Sequence, residues 1–230
     1  MQDVLKEFLN YIKRPNPFTK NEPSAVFFNQ LFPLVIIALG FAFAATLLTS
    51  ILEQLHIVRK LPEFDLFDLK EKKFLLFGTI VVLAPLIEET IFRLQLKEYS
   101  LAVLFYAGLV VFYLNKLFSG VTLGVFVFVA TSIAMAFFFY LWQSKTRRIR
   151  FIKIYFKYHF YLTAIIFGLV HISNYSNPIK FGFPVVLLVL PQLFVGFILG
   201  YVRMRFGISK SIIMHAAYNF IPALGLLAGY

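Results

Sequence analysis

The sequence predicts an all-α fold: a polytopic helical membrane protein of about seven transmembrane helices around a polar cavity inside the bilayer. Three observations carry this prediction. Of 230 residues, 60% are hydrophobic and only 14% charged, with a mean hydropathy of +0.81. Water-soluble domains of this length do not have such a composition. The apolar residues fall into windows matching the roughly 20 residues that a helix needs to cross a hydrocarbon core. A few charged and histidine side chains lie within those windows, where each is costly unless it finds a polar partner.

The windows run, in order, over 28–52, 74–97, 100–118, 121–143, 158–175, 182–202 and 209–229. Each is bounded by polar or turn-forming residues. The shortest connection is Asn115 to Gly120, and Asn177, Pro178, Gly182 and Pro184 interrupt helix between the fifth and sixth windows. Gly168 and the pair Gly196 and Gly200 are expected at close helix contacts, the pair as a small-xxx-small pattern. The first twenty residues mix charges with apolar residues and lack the order of a cleavable signal peptide, so the first span is expected to stay. The whole chain, 1–230, reads as a single integral membrane domain.

Basic residues orient the spans. The loops 145–157 and 203–210 carry most of the clustered Lys and Arg, including Arg203, Arg205 and Lys210, and are expected on the cytoplasmic side. Seven spans then place the N-terminus inside and Tyr230 outside. The segment 56–73 carries both signs of charge interleaved with Leu61, Phe64, Leu66, Phe67 and Leu69, and reads as an amphipathic helix on the membrane surface. The net charge of +11 fits basic loops, and with no soluble basic module present nucleic acid is not an expected partner. The absence of cysteine excludes disulfides and thiolate chemistry. The thirty phenylalanines read as lipid-facing and packing residues.

Nine of the eleven acidic residues lie in loops or near span ends; the exceptions are Glu88 and Glu89. On a helix Arg93 can pair with Glu89 across one turn, while Glu88, about 100° away, faces elsewhere. His171 and His215 also fall in apolar windows, with Asn219 one turn after His215 on the same face. Each of these groups needs a polar partner in lipid, and one shared cavity supplies it most economically. His56 and His159, at window edges, are not expected to do chemistry, and Asn174 is expected to cap or turn the chain. By rise per residue Glu88 and His215 lie near the cytoplasmic side, whereas His171 is expected nearer the opposite side.

Glu88, Glu89 and Arg93 form an EExxxR pattern, Phe167 and His171 an FxxxH pattern, and His215 and Asn219 an HxxxN pattern. In that order, each in an apolar window, they resemble the CPBP family of intramembrane proteases (CAAX proteases and bacteriocin-processing enzymes), which includes the Rce1-like prenyl endopeptidases. The resemblance covers a catalytic core of about 74–225. It implies hydrolysis of peptide bonds within or near the membrane. Carried over by position, Glu88 is the general base that activates water and His171 helps hold that water. Glu89 is a second acidic group, Arg93 balances charge, and His215 and Asn219 bind a metal or stabilise the oxyanion.

The resemblance leaves open whether a divalent metal, with zinc suited by ligand type, is held by Glu88, His171 and His215, or whether the glutamate acts without metal. Implied partners are membrane lipids and a peptide or protein substrate, either prenylated or a bacteriocin precursor. The implied location is a bacterial inner membrane. The alternatives are a non-catalytic bacteriocin self-immunity or scaffold protein that keeps the polar cluster for binding, and a transporter using the same groups as a proton relay. About eighty residues separate Glu88 from His171, more than the family's usual spacing. An inserted hairpin, spans 100–118 and 121–143, accounts for them and preserves helix direction.

Overall fold

Apolar windows of this length fold as helices because the backbone must satisfy its own hydrogen bonds in lipid. A computed structural model describes residues 1–62, 72–117 and 123–228, and among them every regular element is helical. The helices are α1 (Gln2–Lys13), α2 (Ser24–Gln54), α3 (Lys73–Gly78), α4 (Ala84–Arg93), α5 (Ser100–Leu117), α6 (Leu123–Trp142), α7 (Lys145–Val170), α8 (Leu190–Phe206) and α9 (Ile208–Ala228). A π-helical stretch, Thr79–Leu83, joins α3 to α4, and a 3-10 turn, Leu94–Leu96, extends α4. Each of the seven predicted windows contains helix among its described residues. Among the described residues three stretches are long and apolar enough to cross a membrane, namely Ser24–Gln54, Lys73–Leu96 and Phe183–Phe206. The chain is an integral membrane protein.

Short α1 is amphipathic: Val4, Phe8, Tyr11 and Ile12 share one stripe and pack on the core, the spacing of one helical face. Phe8 meets Phe194 and Tyr201 edge-on at 5.9 and 5.7 Å. Polar contacts hold the same helix, since Gln30 donates to Glu7 at 2.9 Å and Arg205 pairs with both Glu7 and Glu22. Tyr201 in turn donates to Gln30 at 3.3 Å.

At the centre lies α8, buried almost continuously from Val195 to Phe206. It packs against α7 at the glycines singled out above. A methyl group on Gly168 would lie 2.8 Å from the Leu193 Cα, one on Gly196 2.9 Å from the Ala164 carbonyl, and one on Gly200 2.8 Å from the Phe160 ring. Small residues there let two backbones approach. Between α7 and α8 the chain runs through 3-10 turns, His171–Asn174, Pro178–Phe181 and Phe183–Val189. The breakers act where expected: Asn177 and Gly182 take positive φ, 49° and 63°, and α8 begins only at Leu190, eight residues into its window.

One expectation changes. Arg203 and Arg205 are not loop charges but belong to the last turn of α8. Arg203 is buried and donates to the carbonyls of Arg93 and Leu94 at 2.9 and 3.1 Å. It thereby satisfies acceptors that the end of α4 leaves open. The true connection is the turn at Gly207, whose φ of 97° admits glycine readily. Of the surface helix expected over 56–73, residues 63–71 lie outside the described residues. Before it, His56 occupies a left-handed turn and Glu53 accepts a hydrogen bond from the Leu61 amide at 2.8 Å.

Candidate active site

Glu88 and Glu89 project from adjacent positions of α4, so they face different surroundings. Glu89 is fully buried. Its Oε1 lies 3.0 Å from His215 Nδ1, and its Oε2 accepts a hydrogen bond from Ser211 and lies 3.9 Å from Arg93 Nε. Ser211, one turn before His215 on α9, also sits 3.0 Å from the Leu199 carbonyl. Arg93 donates to the Gly196 carbonyl at 3.2 Å and lays its guanidinium 4.2 Å from the centre of the Phe167 ring. That contact is a cation on an aromatic face, which offsets part of the cost of burying the charge. The pairing of Arg93 with Glu89, anticipated from their spacing, is present.

Glu88 turns the other way, into a cavity of about 500 Å³. Its Oε2 lies 3.8 Å from His171 Nε2 and 3.8 Å from His215 Nε2, and has no hydrogen-bond partner. Both rings are held by their other nitrogen. His171 Nδ1 sits 2.7 Å from the Phe167 carbonyl, and His215 Nδ1 faces the Glu89 carboxylate. A carbonyl and a carboxylate only accept, so each Nδ1 carries a hydrogen, and a ring in its neutral form then presents an Nε2 lone pair to Glu88. Three acceptor atoms thus converge on one small space. Such an arrangement is unfavourable unless a proton donor or a cation joins them.

His171 meets Glu88 despite the depth expected from counting residues, and the reason is the length of α7. Leu96, Phe156, Phe160 and Met204 form one cluster, which fixes a common level for the ends of α4 and α8 and the middle of α7. From that level, eight residues back to Glu88 and eleven forward from Phe160 to His171 are about 12 and 16 Å of helix rise. The basic first half of α7 precedes this level. His171 therefore does not belong to the opposite side.

Asn219 also lines the cavity, and its side-chain amide donates to the Ile80 carbonyl at 2.9 Å. Ile80 lies in the π-helical stretch, where the wider turn disturbs the regular ladder and frees a carbonyl. Further polar lining comes from Thr46, Asn174, Tyr175, Gln192 and Tyr218. His159 lies apart, with its Nδ1 2.8 Å from the Tyr106 hydroxyl. Sequence reasoning did not single out Ser211, Gln192 or Tyr218. Ser211 had a signal in its spacing, four residues before His215 on the same helix face.

A metal of zinc type would find suitable donor kinds here. Two imidazoles whose Nδ1–H groups are tied to acceptors, with a carboxylate oxygen free of other bonds, are the supported ligands that such ions use. Among the described residues, no group of three His, Asp or Glu side chains stands close enough to hold an ion. The separations of 3.8 Å exceed by a few tenths of an ångström the roughly 3.4 Å edge of a tetrahedron with ~2.1 Å bonds.

Residues 146–221 match the family model described as type II CAAX prenyl endopeptidase Rce1-like. The matched segment contains His171, His215 and Asn219, while Glu88, Glu89 and Arg93 lie before it. No curated protein and no solved structure matches the chain. In residues 146–221 the chain is therefore similar to the Rce1-like prenyl endopeptidases, the group that its motifs resemble.

Proposed function

We propose that this protein is an intramembrane endopeptidase that hydrolyses a peptide bond of a membrane-associated peptide or protein, with residues 74–225 as its catalytic core. One observation carries the reading: Glu88 Oε2, without a hydrogen bond, stands 3.8 Å from two imidazole nitrogens at the wall of a cavity large enough for a peptide segment. A separation of 3.8 Å is too long for direct hydrogen bonds and suits a molecule between the groups. Water can donate one hydrogen to Glu88 and the other to an imidazole.

In this mechanism Glu88 takes a proton from water as the oxygen attacks the scissile carbonyl, and returns it to the leaving amine. His171 Nε2 orients the water by accepting its second hydrogen. Asn219 uses one amide hydrogen on Ile80, which leaves the other to donate to the developing oxyanion. Glu89 acts through His215 as a positioning residue: its carboxylate, itself held by the Ser211 hydroxyl, accepts the Nδ1–H and so keeps Nε2 toward the reacting centre. Arg93 balances the Glu89 charge. A divalent ion of zinc type, when bound, would be held by Glu88, His171 and His215 and would supply positive charge that acidifies the water.

The test uses purified protein in lipid nanodiscs and two substrates, a prenylated CAAX-type peptide and a bacteriocin-type leader peptide. Glu88→Gln and His171→Ala are each expected to lower turnover by about 10²- to 10⁴-fold, the usual contribution of a general base, with unchanged folding. Full turnover in both variants rejects the assignment. Chelation followed by metal add-back distinguishes the metal-dependent route from the glutamate route, and cleavage of one peptide over the other identifies the substrate class.

A further inference from the structure

The hairpin of α5 and α6, which lengthens the chain between Glu88 and His171, helps to build a second cavity that shares no lining residue with the first. Its volume is about 340 Å³, in the range of small-molecule sites, and its walls are almost wholly apolar. Tyr99, Tyr106, Tyr140, Tyr155 and Tyr158 line it, together with Phe156. Five of the chain's twelve tyrosines therefore surround one space. Tyrosine prefers the depth of lipid headgroups, where its ring is in the apolar phase and its hydroxyl is wet.

A cation stands beside this space, against one of its lining rings. Arg148 lies one turn before Phe151 and Ile152, both cavity-lining residues of α7, and so on the same helix face. Its guanidinium carbon is 5.8 Å from the centre of the Tyr140 ring, and its Nε is buried without a hydrogen-bond partner. Lys145, Arg147, Arg150, Lys153 and Lys157 surround it on α7. No acidic residue follows Glu98 anywhere in the sequence. Among the described residues none of these six cations meets a carboxylate. An apolar slot beside an arginine that meets no carboxylate, within a basic field, matches a molecule with an aliphatic chain and a negative head.

We infer that the cavity between α5, α6 and α7 is a binding site for an anionic phospholipid of the bilayer, with an acyl chain among the tyrosines and the phosphate on Arg148. The charge decides the occupant. A neutral lipid or an isoprenoid chain would fill the slot but would leave the arginine without its counter-ion. Each basic contact to an anionic headgroup contributes about 1 kcal/mol, or roughly fivefold in affinity.

The full-length protein, delipidated in neutral detergent, is titrated with phosphatidylglycerol or phosphatidylcholine of identical chains, and bound lipid is counted by native mass spectrometry. Wild type is expected to prefer phosphatidylglycerol at least fivefold. Arg148→Gln should remove about fivefold of that preference while keeping the fold, and Lys180→Gln, a cation elsewhere, should leave it intact. Ala102→Trp and, independently, Val103→Phe fill the slot and should lower retention of both lipids. Equal binding of the two lipids, a preference that survives Arg148→Gln, or retention unaffected by both filling variants overturns the proposal. Displacement by an uncharged isoprenoid at equal concentration also overturns it, and identifies a prenyl site instead. None of these readouts depends on proteolysis.

Discussion

His215 turns its Nδ1 to the buried carboxylate of Glu89 at 3.0 Å, and the opposite ring nitrogen is thereby left facing Glu88. Adjacent glutamates on one helix therefore divide two tasks, because a step of 100° sends one side chain into the cavity and the other behind it. Glu89→Gln keeps an acceptor for Nδ1–H but removes the charge that Arg93 faces. A loss of about 10- to 100-fold in turnover is expected, the usual effect of disturbing the group behind a functional histidine, with KM little changed. Steady-state kinetics on the cleaved peptide checks it, and an unaltered kcat refutes the positioning role.

Asn219 reaches across to the Ile80 carbonyl at 2.9 Å. In Asn219→Ala that carbonyl is left unpaired within the protein, at a cost of about 1–3 kcal/mol. A lower thermal midpoint is expected together with a loss of turnover. Asn219→Asp retains the volume and loses the donor, so a midpoint equal to wild type in that variant contradicts the assigned bond.

The α7 and α8 backbones meet at Gly168 and Gly200. Gly168→Ala places a methyl 2.8 Å from the Leu193 Cα, where backbone must move, whereas at Gly200 the obstacle is the Phe160 ring. Overpacking of this kind costs about 1–3 kcal/mol. Gly168→Ala is expected to lower the thermal midpoint more than Gly200→Ala, since a side chain yields more easily than a backbone. Differential scanning fluorimetry in detergent measures both, and the reverse order counts against the packing described.

The Arg205 hydrogen bond, assisted by that of Gln30, holds the Glu7 carboxyl below its ordinary value of 4.5. A carboxylate lowered in the folded state contributes stability that is fully present above its ordinary range and is lost as pH falls through the folded value. Docking of α1 should therefore weaken only below about pH 4.5. Protease clipping after Lys13 as a function of pH reports it, and Glu7→Gln should abolish the acid dependence. A profile unchanged by that substitution rules Glu7 out as its origin.

The lattice of apolar windows was legible because helix in lipid follows from length and hydropathy, with little help from tertiary contacts. Glu88, Glu89, Arg93, His171, His215 and Asn219 stood out for a related reason: a polar group in an apolar run is conspicuous in sequence. Arg203 was misplaced because positive-inside counting treats every terminal arginine as a loop charge. Here the side chain folds back onto the carbonyls of Arg93 and Leu94. The start of α8 was placed early because Phe183–Val189 is apolar, yet glycine and proline hold it in 3-10 turns. Gln192 and Tyr218 passed unnoticed, since glutamine and tyrosine are ordinary in membrane helices until a cavity is seen beside them.

Sequence alone determined that this chain is an integral helical membrane protein and which few side chains must share polar company, because burying charge in hydrocarbon is costly at any position. Only the tertiary structure decided how they pair. Whether Glu88 or Glu89 faces the cavity, and whether His171 lies level with His215, depends on helix rotation and on where α7 passes α8. Those are set by close packing at Gly168, Gly196 and Gly200, contacts between residues distant in the chain that no local pattern encodes.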